Sequence, residues 1–238
     1  MDPESGGKTG ESRVNLTNGR VSGMDGPDMT SLPHSSVDIG SVQTIRKGVL
    51  LVAVTVLVLA FVFVASTWPE GHLVHETLEW AGIGLIVVCI VGRTWCSLYI
   101  GGRKSTEIVA VGPYSVTRNP LYVFSIIGAA GIGAQLGSIV LTVASCAIAW
   151  IVFLVVAMQE EKYLLAAHGD HYRVYLTRVP RFLPRLSRWQ NVDILHVQPG
   201  VVVRTFFDAC FFLVAIPAAE FFESLQDAGL VPILFRVP

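Results

Sequence analysis

Two short stretches of this chain hold most of the side chains able to do chemistry. The first runs from Gly112-Pro113-Tyr114 to Arg118-Asn119-Pro120-Leu121-Tyr122, and the second from Glu160-Glu161 through Tyr172, Tyr175 and Arg178 to Arg181. Adjacent carboxylates at the edge of an apolar run repel each other and are costly to desolvate unless cations meet them. Arg118, Arg178 and Lys162 are candidate partners. Neighbouring residues on a helix point about 100° apart, so one glutamate can face a site while the other faces water or a loop arginine. The tyrosines can stack on a purine or sit in an interfacial aromatic belt.

Each residue also has a plain structural reading. Asn119 suits a helix N-cap, Pro120 the first helical turn, and Gly112-Pro113 ordinary loop punctuation. Arg118 alone reads as an interfacial anchor, and Glu161 as part of a solvated helix face. His168 and His171 lack a third ligand of suitable spacing, so no metal is expected. The glycines at 131, 133 and 137 lie in a charge-free run with no strand before them, which favours helix packing over a dinucleotide loop. Cys89, Cys96, Cys146 and Cys210 have no paired spacing and read as reduced core residues.

The elements that position these clusters are set by composition. Of 238 residues, 52% are hydrophobic and 15% charged, and the mean hydropathy is +0.58. That is too apolar for a soluble domain, so lipid serves as solvent for much of the chain. The formal net charge of -1 makes nucleic acid an unexpected partner. Residues 1–44 lack apolar periodicity and read as a disordered cytosolic tail. Gly48 to Pro69 holds 22 residues without a charge, long enough to cross a ~30 Å hydrocarbon layer as a helix. A second span is expected from about 78 to 100, with Arg93 near its inner end. From Asn119 to Gln159, 41 residues carry no charge, about twice what one crossing needs. Two helices, at roughly 121–136 and 139–158, must share this run as a hairpin broken at Leu136-Gly137-Ser138. Ser125, Ala129, Gly133 and Gly137 form a small-residue stripe that lets membrane helices approach closely. The second helix is expected to run on to a glycine stop at Gly169, followed by a short helix carrying Tyr172 and Tyr175. A fifth span is expected at about 205–223, despite Asp208 and Glu220.

Loop charge sets the orientation. Residues 68–77 hold no Lys or Arg, whereas 101–120 hold Arg103, Lys104 and Arg118, and 159–203 hold Lys162, Arg178 and Arg181 among others. The basic loops are therefore expected in the cytosol. Five spans would put the N-terminus inside and the C-terminus outside. Because a two-helix hairpin returns to its starting face, the two polar clusters should meet there. The reading is an all-α integral membrane protein of about five transmembrane helices, with a central helical hairpin and a cytosolic-face catalytic subdomain. Its parts are a tail at 1–44, two helices within 45–100, a core at 101–190 and a C-terminal segment at 191–238.

GPYSVTRNPLY at 112–122, EE at 160–161 and GDHYRVYLTRVPRFLP at 169–184 resemble, in order and spacing, the isoprenylcysteine carboxyl methyltransferase and phospholipid methyltransferase superfamily, bacterial type. The resemblance covers roughly 93–184, starting near Arg93 and Trp95. It implies a multi-span helical enzyme, in a bacterial inner membrane, that holds S-adenosylmethionine at the cytosolic interface. The methyl acceptor would be lipophilic, a prenylcysteine-like carboxylate or a lipid amine, and would enter from the bilayer. Carried over, the cofactor residues are Gly112, Pro113, Tyr114, Arg118, Asn119, Pro120, Tyr122, Glu160, Glu161, Tyr172 and Tyr175. The resemblance makes Arg178 the candidate for acceptor positioning, with Arg118 beside it as a catalytic candidate. Asn119 stands where the prenylcysteine enzymes typically have His, so proton transfer at that position is lost. The competing reading is a small transporter or channel subunit whose Arg93, Asp208 and Glu220 mark a pathway. Polar residues clustered at one interface, rather than spread through the spans, count against it.

Overall fold

With no water in a bilayer core to pair with the backbone, the apolar runs must satisfy their own peptide groups, and they do so as helices. The computed structural model describes residues 48, 51–52, 54–60, 62–69, 71–101 and 108–238, all within one unit, Val37–Pro238. The described residues of 51–63 are helical (α1). Then come α2 (Leu73–Ile100), α3 (Pro113–Val116), α4 (Pro120–Ala134), α5 (Ile139–Arg178), α6 (Pro199–Cys210) and α7 (Ala215–Asp227). Helices α2 and α5 and the continuous run Pro199–Asp227 are each long and apolar enough to cross a membrane, and α4 is a shorter apolar helix. The expected all-α membrane class holds. The tail at 1–44 lies outside the described residues, as do Arg103 and Lys104.

The first expected span, Gly48 to Pro69, is shorter than its charge-free length. Its helix stops at residue 63, and Val64–Ser66 forms a strand (β1) that pairs in parallel with Phe235–Val237 (β2), Val64 opposite Phe235. The C-terminal strand offers this backbone a pairing partner from the far end of the chain, which a charge count does not reveal. The Pro238 carbonyl then accepts from Val140 N at 2.9 Å and from Ser138 Oγ at 2.8 Å. Sheet, C-terminus and the α4–α5 turn therefore share one face.

The hairpin forms where expected. Ser138 caps α5 by accepting from Leu141 N, and Gly137 takes φ 57° in the turn. Ser125, Ala129, Gly133 and Gly137 are all buried. The same helix also packs tightly on α2, where a Cβ on Gly82 would lie 2.8 Å from the Gly131 carbonyl. Contact this close is what small residues provide between membrane helices. Arg93 on α2 donates to Ser125 Oγ on α4, so it ties two helices together.

Helix α5 has 40 residues, twice what a crossing needs. Its second half carries Glu160 and Glu161 beyond the apolar run. At Gly169 the backbone leaves helical geometry (φ 55°, ψ -130°), and a further short helix carries Tyr172 and Tyr175. Residues 199–227 are helical through a 3-10 turn at Phe211–Val214, and Asp208 and Glu220 on this run are exposed.

Candidate functional site

The wall of the site begins with Gly112, at φ 56° and ψ -132°, a conformation that only glycine adopts without strain. A Cβ there would also lie 2.3 Å from the Tyr99 ring. The turn is fixed from outside: Gly112 N donates to Gln190 O at 2.8 Å, while Ser115 Oγ donates to Gly112 O and accepts from Gln190 N. Trp189 beside it stacks on Trp95 of α2, ring centroids 5.6 Å apart. Pro113 opens α3, which buries Tyr114.

The segment after α3 is laced to the segment after α5. Arg118 N donates to Pro180 O at 2.8 Å, Thr117 Oγ1 to Arg181 O at 3.0 Å, and Arg185 N to Val116 O at 3.0 Å. Asn119 precedes α4, but its side chain makes no cap; its Nδ2 donates to Arg181 O instead. Pro120 opens α4 as expected. These bonds set two arginines around one carboxylate. Arg118 lies 3.1 Å from Glu161 Oε1, and Arg181 donates from Nε and Nη2 to the two Glu161 oxygens at 3.0 and 2.8 Å. The hydrogen bond to Glu161 raises the Arg181 guanidinium pKa further above its ordinary value.

Above this pair lies a half-open pocket, its empty space about 630 Å³ when the part open to solvent is included. The two sequence clusters do meet there. Tyr114, Arg118, Asn119 and Tyr122 line it from one side, and Glu160, Glu161, Tyr172 and Tyr175 from the other. Tyr175 Oη donates to the Tyr114 carbonyl at 2.8 Å, closing the far wall. Gly112, Pro113 and Pro120 are buried behind the lining and shape it through the backbone. Burial drives the Tyr114 phenol pKa well above its usual value, so it remains a hydrogen-bond donor. Its Oη and Arg118 Nε are buried without a hydrogen-bond partner. Such orphaned donors cost roughly 1–3 kcal/mol each unless something pairs with them.

Arg178 is not brought to the pocket. It is exposed at the end of α5, six positions after Tyr172, which places it about 120° around the helix from that ring. The chain then leaves the helix at Val179 and turns back, so that Arg181 reaches Glu161. The proline at 180 is the sequence sign of that turn, but not of which arginine it delivers. Sequence reasoning also passed over most of the apolar lining, Ile100, Ile108, Val109 and Leu164, because aliphatic residues at a membrane edge carry no distinguishing signal.

The sequence profile described as Phospholipid methyltransferase matches residues 80–171, from α2 to just past the Gly169 break. A nickel-cobalt-cadmium resistance protein, NccN, from Alcaligenes xylosoxydans xylosoxydans is 34% identical over 193 residues, covering 81% of this chain and 90% of that protein. The chain belongs to the phospholipid methyltransferase family. Another relative is the cobalt-zinc-cadmium resistance protein CzcN of Cupriavidus metallidurans, 34% identical over 186 residues, 78% of this chain and 85% of that protein. No solved structure matches the chain. The part of this phospholipid methyltransferase family member matched by the profile contains Arg118, Glu160 and Glu161, while Tyr172, Tyr175 and Arg181 follow it.

Proposed function

We propose that the chain is an S-adenosylmethionine-dependent methyltransferase that modifies a lipophilic acceptor at the cytosolic face of a bacterial inner membrane. The observation that carries this reading is the pocket at the junction of the two clusters, built by the hairpin and held by Arg118, Glu161 and Arg181.

The residues present fit the cofactor. A molecule with a zwitterionic amino-acid end, a purine and a positive sulfonium needs anionic, donating and aromatic surfaces together. Glu160 supplies a carboxylate, Arg118 Nε and Tyr114 Oη supply buried donors in want of an acceptor, and Tyr172 and Tyr175 supply ring faces. When bound, the cofactor supplies an electrophilic methyl group. The chain's own contribution is to hold, align and dry the reactants, since in-line displacement depends on alignment more than on acid–base groups. Asn119, tied to the Arg181 carbonyl, is a positioning group and not a proton carrier.

The apolar side of the pocket, Ile100, Ile108, Val109, Leu121 and Leu164, suits a lipophilic acceptor. The two relatives are named for nickel-cobalt-cadmium and cobalt-zinc-cadmium resistance, and we place this chain's methyl transfer in the same physiology. The test is a transfer assay with methyl-labelled S-adenosylmethionine on membranes containing the protein, followed by identification of the labelled lipid or peptide. Label that depends on the protein and falls with Glu160→Gln supports the reading. Absence of both transfer and S-adenosylhomocysteine binding by the purified protein overturns it.

A further inference from the structure

A second polar cluster lies at the other end of α2. His75 sits in the first turns of this helix, whereas Ile100 at its last residue lines the pocket, so about 37 Å of helix separates them. His75 Nε2 lies 3.2 Å from Glu79 Oε1, one helical turn on, and 3.8 Å from Glu223 Oε1 on α7. The candidate ligand atoms of the three residues fall within 4.8 Å of one another.

The imidazole is held in a defined orientation. Its Nδ1 lies 3.0 Å from the Trp68 carbonyl, which can only accept, so Nδ1 carries the proton. The ring packs on Gly137, where any Cβ would come within 2.2 Å of Nδ1, and the side chain is 4% exposed. In the neutral ring this leaves the Nε2 lone pair directed at carboxylate oxygens. Acceptor facing acceptor is unfavourable against this buried imidazole, and a cation between them resolves it. A histidine whose far nitrogen donates to a backbone carbonyl while its near nitrogen meets carboxylates is the arrangement of a metal-ligating imidazole.

We propose that His75, Glu79 and Glu223 bind a divalent first-row transition-metal ion, zinc or cobalt in type, on the face opposite the pocket. One nitrogen and two carboxylate oxygens form a borderline-hard donor set suited to such ions. Metal–ligand bonds of about 2.0–2.2 Å in a tetrahedron put ligand atoms about 3.3 Å apart, close to the His75–Glu79 distance. The Glu223 oxygen, 3.8 Å from Nε2, must draw in to reach that spacing, and binding is expected to bring it there. Three protein ligands leave one position for water, and the Glu79 and Glu223 side chains, 34% and 17% exposed, leave a way in. The sequence reading expected no metal because it considered only His168 and His171, and these ligands come from α2 and α7, far apart along the chain.

The experiment uses untagged full-length protein in detergent, stripped with chelator and titrated with cobalt(II). The expected result is one equivalent of cobalt per chain, with visible ligand-field bands that zinc bleaches by displacement. Glu79→Gln and Glu223→Gln should each weaken binding at least tenfold without lowering the melting temperature of the metal-free protein. If the metal-free proteins differ in melting temperature, His75→Asn provides a second comparison, as its amide can still donate to Trp68 O. Cobalt binding unchanged in all three variants puts the ion elsewhere and overturns the proposal. Absence of binding by the unaltered protein also overturns it. None of these readouts depends on methyl transfer.

Discussion

Glu161 and Arg181 meet through two parallel hydrogen bonds, Nε to Oε1 at 3.0 Å and Nη2 to Oε2 at 2.8 Å, and Arg118 approaches the same carboxylate at 3.1 Å. A planar guanidinium matches a carboxylate in this way, and an ammonium does not. Because Arg118 belongs to the entrance of the hairpin and Arg181 to its exit, this one carboxylate fastens the two chain segments that build the pocket. Of the adjacent glutamates, Glu161 is the internal fastening, and Glu160 faces the space beside it.

Replacing Glu161 by glutamine should therefore act on stability as well as on any activity. It leaves two arginines, 13% and 32% exposed, facing a neutral amide. Removing one partner of a largely buried pair costs about 3 kcal/mol. That corresponds to a fall in apparent melting temperature of roughly 6–12 °C for a protein of this size. Thermal unfolding in detergent measures it, and an unchanged midpoint would show that water already screens the pair.

The two arginines at the end of α5 should behave differently under the same conservative change. Arg178 is exposed and outside the pocket, so Arg178→Lys should leave S-adenosylhomocysteine affinity and any transferase rate within about twofold. Arg181→Lys cannot reproduce the parallel pair, and loss of alignment at the pocket wall should lower turnover about tenfold, equivalent to ~1.4 kcal/mol. Equal effects of the two changes would return Arg178 to the site.

How much of this was legible beforehand depended on whether the signal was local. The hairpin break at Gly137-Ser138 and the stop at Gly169 are local backbone requirements, and both are visible in the chain. Convergence of the two clusters followed from simple geometry, since a hairpin returns to its own face. The meeting of Arg181 with Glu161 was not local: it depends on hydrogen bonds from Thr117, Arg118 and Asn119 to the carbonyls of 180 and 181. The β1–β2 pair joins residues from opposite ends of the chain, and Val64–Ser66 carries the same apolar pattern as the helix before it. The cluster of His75, Glu79 and Glu223 was hidden for the same reason.

Gly112→Ala should be among the most damaging single-methyl changes in the protein. The substituted residue would have to leave φ 56°, breaking the bond to Gln190 O, or push its Cβ into the Tyr99 ring. Backbone strain of this kind costs about 1–3 kcal/mol before the clash is counted. The expected signs are a lower melting temperature and weaker S-adenosylhomocysteine binding, because α3 carries Tyr114 into the pocket wall. Gly200→Ala is the control, since a Cβ there meets nothing within 4 Å. Similar melting curves for the two variants would mean that the turn at Gly112 relaxes freely.

Membrane sidedness can be tested at positions whose relative placement the fold already fixes. Residues 64–69, residues 71–72 and the C-terminal segment are on one face, joined by the β1–β2 pair, while the 180–190 segment is on the other, bonded to Gly112 and Arg118. Arg118, Arg181, Arg185 and Arg188 lie with the second group, against Arg236 in the first, and the more basic side is the one expected in the cytosol. Single cysteines at the exposed positions His72, Ala228 and Ser187 report each part. The native cysteines are buried or half-buried in apolar helices, so their background with a membrane-impermeant maleimide should be low. His72→Cys and Ala228→Cys are expected to label in intact cells, and Ser187→Cys only after permeabilisation. Labelling of Ser187→Cys in intact cells would put the pocket outside, away from a cytosolic methyl donor, and would sink the methyltransferase reading. Opposite outcomes at His72 and Ala228 would contradict the strand pairing itself, so the orientation and the fold are tested separately by the same three variants.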